Sequence, residues 1–553
     1  MAIDYSELFL NFANEEKKRI VCITQKPNEY EKDGSLFSGL FRAECCLCSS
    51  GRPLSEQEVN SSSPFPSFLR RGGILFFYTM RARYLSLLCL VVLLVSCSKR
   101  EAKNKVDDLP EIYPDYIGVT VPANICPLNF SVPDAEHIQV VILNDREDSV
   151  VKSGTNHVKL PNKAWHNLLL GTSSLTVTVS VWDKEHPDGV TYKPFIIHVA
   201  KDEIDPWIAY RLLPPGYESW NRMGIYQRNL TNFDVEPIIE NSQNNYGCVN
   251  CHSFANYNPK DFTFHARGKN GGTIVMRDGK MKKVDIKEMS GGRHGSYNIW
   301  HPSKRYIAFS SNSTHQAFYG QSKNKIEVYD LWSDLIVYDI DNEKVLQDER
   351  FTDSLNLEMF PSFSPDGKWL YFSTAKPVNM PMETDKLHYS IVRVPFDEKT
   401  GGLGEIDTVY SAYEQGGTAM MPRLTPDGRY MLFSLGECGG YNLYHMESDL
   451  KMMDLQTGKM VPTDILNSPR AESFHAWSSN GKWMMYVTKR FDGRYTRLML
   501  AYWDGKQFHK PFLLPQENPE NNIQLLMAYN VPEFIKAPVV VSKDELARFF
   551  TKE

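Results

Sequence analysis

Long apolar runs are scarce in this chain of 553 residues. The run from Tyr84 to Val95 is twelve residues, too short to cross a bilayer alone. There is no long basic block. The 61 Lys and Arg are outnumbered by 67 Asp and Glu, giving a net charge of −6, which argues against a nucleic-acid partner. No G-x-S-x-G elbow occurs, so a serine-hydrolase nucleophile has no usual seat. A Walker loop is also missing, and Gly401-Gly402-Leu403-Gly404 lacks the strand–helix context of a nucleotide fingerprint. Cysteine is sparse where it counts. Cys22, Cys45, Cys46, Cys48 and Cys89 precede residue 97, leaving Cys97, Cys126, Cys248, Cys251 and Cys438.

The short apolar run has a role of its own. Met80-Arg81-Ala82-Arg83 is a basic lead, Tyr84–Val95 has the length of a signal h-region, and Leu94-Val95-Ser96-Cys97 follows. That ending resembles a bacterial lipoprotein lipobox, which implies a lipidated Cys97 and a membrane anchor made of acyl chains. Translation is then expected from Met80, with residues 1–79 a mis-assigned upstream extension and 80–97 a signal peptide. The competing reading makes 1–79 genuine and Ile74–Val95 one membrane helix. Arg81 and Arg83 would then sit inside it at about 2.5–3.5 kcal/mol each near the centre. Acidic residues just after the cysteine would resemble a surface-export tag, but Ser98-Lys99-Arg100 is basic. A periplasm-facing envelope lipoprotein is the expectation.

From Cys97 onward 457 residues remain, too many for one core. Residues 98–110 read as a polar tether. Residues 111–200 read as short strands: His137–Leu143, Leu175–Val181 with strict alternation, and Phe195–Val199, separated by turn residues. A small immunoglobulin-like β-sandwich is expected there. Residues 201–270 show no strong strand signal. Trp220–Leu230 reads as a short helix.

Beyond 271 a repeat sets in. Its copies are Trp300–Ser310, Phe363–Ser373, Leu424–Ser434 and Trp477–Val487, with third positions at 302, 365, 426 and 479. Each passes a tight turn such as Pro365-Asp366-Gly367, then a cation, then an aromatic and apolar strand. One such sheet cannot bury both faces alone, whereas radially arranged sheets bury one another. The repeats resemble the SPDG repeats of TolB-type propellers. That implies a mainly β chain with a propeller of about five or six blades over 271–541 and a tail at 542–553.

Cys248-Val249-Asn250-Cys251-His252 spells C-x-x-C-H, the attachment signature of a c-type haem. Two thiols a helical turn apart would bond one porphyrin, and His252 would ligate its iron. One haem c in a segment at 201–270 is expected. His265 is the first candidate for a sixth ligand, with Met276, Met289, His294, His301 and His315 as others. Arg267 or Arg293 would pair with a propionate. A disulfide or a zinc site remains open, although no second C-x-x-C follows. Cys126 and Cys438 could pair, or could be unrelated buried thiols. Asp330, Asp334 and Asp339 read as turn residues rather than calcium ligands.

With the motif added, the chain resembles a group of Bacteroidetes lipoproteins joining C-x-x-C-H to a TolB-like propeller. That implies a membrane-anchored periplasmic electron carrier whose propeller docks a redox or envelope partner. The alternative is a haem-free propeller that binds a protein or envelope component. A haem oxidoreductase using His294 or Arg293 is a third option.

Overall fold

The computed structural model describes residues 101–216, 222–268 and 271–551. The extension at 1–79, the signal segment and Cys97 lie outside the described residues. Among the described residues no helix is long and apolar enough to cross a membrane.

The first element is a sheet. Its strands are β1 (Asn104–Lys105), β2 (Thr120–Pro122), β3 (His137–Asn144), β4 (Ser149–Gly154), β5 (Ser174–Trp182), β6 (Val190–Thr191) and β7 (Phe195–Ala200). Alternation is strict in β5: Leu175, Val177, Val179 and Val181 are all buried. The three strands expected from sequence are present, but two stacked sheets are not. All seven strands join one hydrogen-bonded sheet, because β5 pairs along one edge with β3 and along the other with β7 and then β6. Helix α1 (Asn162–Leu169) buries Trp165, Leu168 and Leu169.

The remaining strands form six four- or five-stranded sheets. Blade 1 contains β8 (Trp207–Leu213), β9 (Gly224–Asn229) and β10 (Val235–Glu240). Blade 2 is β11 (Val249–Phe254), β12 (Phe262–Ala266), β13 (Gly272–Arg277) and β14 (Lys280–Val284). Blade 3 is β15 (Ser296–Trp300), β16 (Tyr306–Phe318), β17 (Ile326–Asp339) and β18 (Lys344–Gln347). Blade 4 is β19 (Leu357–Phe363), β20 (Trp369–Ala375), β21 (Ser390–Asp397), β22 (Gly402–Leu403) and β23 (Asp407–Tyr410). Blade 5 is β24 (Thr418–Leu424), β25 (Tyr430–Gly436), β26 (Asp449–Asp454) and β27 (Lys459–Val461). Blade 6 is β28 (Glu472–Trp477), β29 (Trp483–Thr488), β30 (Arg497–Tyr502) and β31 (Phe512–Leu513). The last strand, β32 (Ala528–Ile535), returns to pair with β8 and becomes the inner strand of blade 1. The inner strands β32, β11, β15, β19, β24 and β28 touch in sequence and close a ring. The fold is a six-bladed β-propeller.

The described residues of 201–270 are therefore part of the propeller and not a segment apart from it: Trp207–Leu213 and Gly224–Asn229 are strands of blade 1, and the C-x-x-C-H run starts blade 2. The helix expected over Trp220–Leu230 is strand β9 from Gly224 on, since its backbone is paired on both edges. The described part of the tail is helical. A helix, α2 (Lys543–Thr551), buries Leu546 and Phe550 against the core of blades 1 and 2.

The four sequence repeats are the turns from inner to second strand in blades 3 to 6. In blade 4, Ser364 donates to Asp366 (2.6 Å), whose carboxylate accepts the Lys368 N–H (3.1 Å), and Gly367 has φ +72°. Thr425 with Asp427 and Ser478 with Asn480 repeat the bond at 2.5 and 2.6 Å. In blades 3 and 5 the cation after the turn pairs with an aspartate at the end of the third strand. Arg305 binds Asp339 (2.8 Å) and Arg429 binds Asp454 (3.0 Å). Burial alone would raise the Asp339 carboxyl, but Arg305 and Asn342 hold it down at about 2.

The sheet of β1–β7 and blades 6 and 1 share one apolar core, from Val121 and Val179 through Trp483 and Leu500 to Phe534. Trp483 is fully buried and donates to the Asp202 carbonyl at 3.0 Å, and Tyr502 donates to the Asp202 carboxylate at 2.6 Å. Trp483→Ala should cost about 3–5 kcal/mol through the cavity it leaves. Because the core is shared, urea unfolding followed by far-UV dichroism should still show one transition. Two separated transitions in the parent protein would show that the sheet and propeller unfold independently.

Candidate functional site

The C-x-x-C-H run lies on the propeller axis. Every inner strand breaks its register at one place, and the residue at the break has positive φ. These residues are Cys251 (53°), Tyr297 (46°), Phe360 (54°), Met421 (60°), Phe474 (20°) and Val531 (43°). They surround a central cavity of about 40 Å³, room for a few water molecules. Cys251 thus occupies a structural position that aromatic and apolar side chains fill in the other blades.

The next residue in each strand is His252, Asn298, Pro361, Pro422, His475 or Pro532. His475 reaches the Leu432 carbonyl on the second strand of the preceding blade at 3.0 Å. His252 faces the equivalent place, the Ala209 backbone on β8, near Arg211. Both imidazoles are buried, and desolvation lowers each to about 3, so both are neutral. Among the described residues His475 Nδ1 has no partner, and the His252 ring lies at the Ala209 backbone with neither nitrogen in regular hydrogen-bond geometry.

Cys251 turns the other way. Its thiol lies at the Tyr297 N–H of blade 3, and its carbonyl accepts from Asn298. Cys248 is buried at the start of the strand. Burial raises both thiols, and Arg211 and Arg267 partly offset this. The thiols are free. No helical turn is formed: the motif runs from a loop into β11.

His265 lies on β12, across from Asn250, with Thr273 beyond it in the same row. Its Nδ1 bonds Thr273 Oγ1 at 3.0 Å, and its buried Nε2 has no partner. Desolvation and then Arg267 hold it at about 3. It borders a cavity of about 630 Å³ with Arg267, His294, Asn312 and Trp332, on the blade 3 side. His294 sits 6.4 Å away, ring to ring.

Cys251 and His252 both line the axial space of about 40 Å³, His252 from the side of blade 1 and Cys251 from the side of blade 3, whereas His265 borders the separate cavity of about 630 Å³. The other candidates are dispersed. His301 is fixed between Ser303 (2.7 Å) and the Gly367 carbonyl (3.0 Å), His315 stacks on Tyr329, Met276 is in the blade 2 core and Met289 is exposed. Arg293 is ion-paired with Asp334. Asp330 accepts from Asn312, Thr314 and Tyr441, so the three aspartates each have protein partners. Among the described residues no three His, Cys, Asp or Glu side chains converge to hold a metal ion. Cys126 is buried in the first sheet and Cys438 half-buried in blade 5, both as free thiols.

Sequence reading missed an arm. Strands β16 and β17 run beyond their blade, and Asn312–Asp330 crosses to the loop of blade 5 after Gly436. Tyr441 donates to Asp330 (3.0 Å), His445 Nε2 meets Glu327 (2.8 Å), and Lys323 pairs with Glu447 (3.3 Å). Burial alone would lower His445, but the hydrogen bond and charge of Glu327 raise it above its ordinary value. The spacing carried no distinct signal: the repeat interval that holds the arm is 63 residues, and the next one, which holds none, is 61.

No family model matches the chain, and no curated protein matches it. Among solved structures it is similar to TolB from Acinetobacter baumannii (13% identity, TM-score 0.38, covering 68% of this chain and 85% of that one). It is also similar to the β-propeller domain of the trilobed protease from Pyrococcus furiosus (11%, TM-score 0.30, 61% and 81%) and to an oligogalacturonate lyase in complex with manganese (11%, TM-score 0.31, 54% and 73%). At these values the blade count rests on the strand ring above.

Glu358 gives this region a pH signature. It is buried two residues before Phe360, with Oε2 unpartnered, and desolvation followed by Asp334 and Asp353 raises it to about 9. The unfolded chain releases this proton near 4.5 and the folded one near 9. Stability from this group is therefore present below the lower value and lost as pH rises through the window, by up to about 1.4 kcal/mol per unit. Glu358→Gln should stabilise the protein at pH 8 and much less at pH 5. Urea midpoints at the two pH values check this, and a pH-independent difference would contradict it.

Proposed function

We propose that this chain is a haem-free propeller binding module of the bacterial envelope, anchored through Cys97 and facing the periplasm. Its recognition surface is the arm-bearing end. The observation that carries the reading is the axial place of Cys251 and His252: both line a space of only about 40 Å³, in positions that the other blades fill with packing side chains. The open volume lies elsewhere, in the cavity of about 630 Å³ where His265, Arg267, His294 and Trp332 offer polar groups and an aromatic wall. The ligand would be a group presented by a protein or envelope partner.

A second reading, a periplasmic electron carrier with one covalent haem c, rests on the five-residue motif and on the two ring nitrogens of His252, neither in regular hydrogen-bond geometry. One spectrum separates the readings. Protein expressed from Met80 with the haem-attachment machinery should be colourless after acid–acetone extraction. A pyridine haemochrome that stays with the polypeptide would reverse the conclusion. For the binding reading, a photo-crosslinking amino acid at Trp332, introduced in cells, should yield a discrete adduct that the same group at the exposed Ile406 does not. Identical patterns at both positions would remove the cavity from recognition.

A further inference from the structure

A second concavity lies on the same end, away from the axis. It measures about 460 Å³ and is built from four separate parts of the chain: the arm tip, the β25–β26 loop at Tyr444, the segment at Arg470 before β28, and the β29–β30 loop. The arm gives Lys323 and Lys325. The other parts give Arg470 and Lys489, with Arg494 at the rim, and among the described lining residues Asp492 is the single carboxylate. The whole chain carries a charge of −6, so this basic concavity runs against the overall balance and does not belong to a generally cationic surface.

We propose that this concavity is a binding site for a small organic polyanion carrying carboxylate or phosphate groups. Its volume suits a small molecule rather than a polymer. Lys323 is committed to Glu447 (3.3 Å) and Lys325 to the Gly320 carbonyl (2.9 Å). Arg470 and Lys489 are differently placed. Arg470 contacts the Met446 sulfur at 3.5 Å, and Lys489 stands over the Tyr444 ring at 4.9 Å. Neither meets a carboxylate among the described residues within ion-pair distance. Lys489 is held at about 8 by burial, only partly offset by Asp492, so an incoming anion would supply the counter-charge that the protein withholds. An aromatic backing and convergent cations on three loops give fixed geometry, which scattered surface lysines lack. The arm supplies one wall, so the site exists only when the arm is docked on blade 5.

Citrate and pyrophosphate are the two probes, with sucrose as the neutral control, titrated calorimetrically into the protein from residue 98 onward at low salt. One of the two anions should bind at one equivalent and weaken as salt rises. Citrate alone would indicate a carboxylate ligand and pyrophosphate alone a phosphate ligand. Lys489→Gln and Arg470→Gln should each weaken binding at least tenfold, and Lys159→Gln, outside the concavity, should leave it unchanged. Arg470 is exposed, so its variant remains informative if the Lys489 variant fails to fold. No heat from either anion up to about 10 mM, or equal binding by the folded variants and parent, would overturn the proposal.

Discussion

The pairing of β32 with β8 is the constraint on which the molecule depends. It joins the far end of the propeller to its beginning, and without it blade 1 has no inner strand. Six twisted sheets cover one another only if the ring is complete, because each leaves a face for its neighbour to bury. The closure is reinforced from outside the ring: Gln227 on β9 exchanges two hydrogen bonds with the Val539 backbone, at 2.6 and 3.0 Å. Buried Arg228 binds Gln516 at 2.8 Å. The first sheet then covers blades 6 and 1, the two blades at the join, with a common apolar core.

Closure also fixes what can happen on the axis. Six inner strands converging at one point would crowd their side chains, and each strand responds with a bulge that turns one residue into the left-handed region. Tyrosine, phenylalanine and methionine at these positions fill the centre. Cys251 shares this geometry, and His252, like His475, faces the preceding blade. A five-residue string that promises a cofactor is thereby drawn into the packing of the ring. The bulge at Cys251 interrupts the regular alternation of faces there, and Cys251 and His252 both come to line the axial space.

The proposed recognition surface is the end of the propeller that carries the arm. Two cavities open there, one with histidines, an arginine and a tryptophan, the other lined by cations. The buried Glu327–His445 pair and the Asp330–Tyr441 bond hold the arm across the blades. An arm fixed by such bonds presents rigid walls, and rigid walls reduce the ordering cost of binding.

Some of this was legible in the residues alone. Strict alternation at Leu175–Val181 marked a half-buried strand, and Pro365-Asp366-Gly367 with its relatives marked the blade turns, because a tight turn demands particular side chains locally. Blade 2 lacks that turn, and blade 1 has no such turn at all because its inner strand comes from the end of the chain. Only four copies were therefore visible, and residues 201–270 were set apart wrongly. The C-x-x-C-H string was equally visible, but a motif records spacing along the chain and not which face of a sheet each residue takes. That depended on the bulge at Cys251, which arises from six strands meeting at an axis. The basic cavity was invisible for the same reason: Lys323, Arg470 and Lys489 are far apart in sequence, and only ring closure and the docked arm bring their charges around one space.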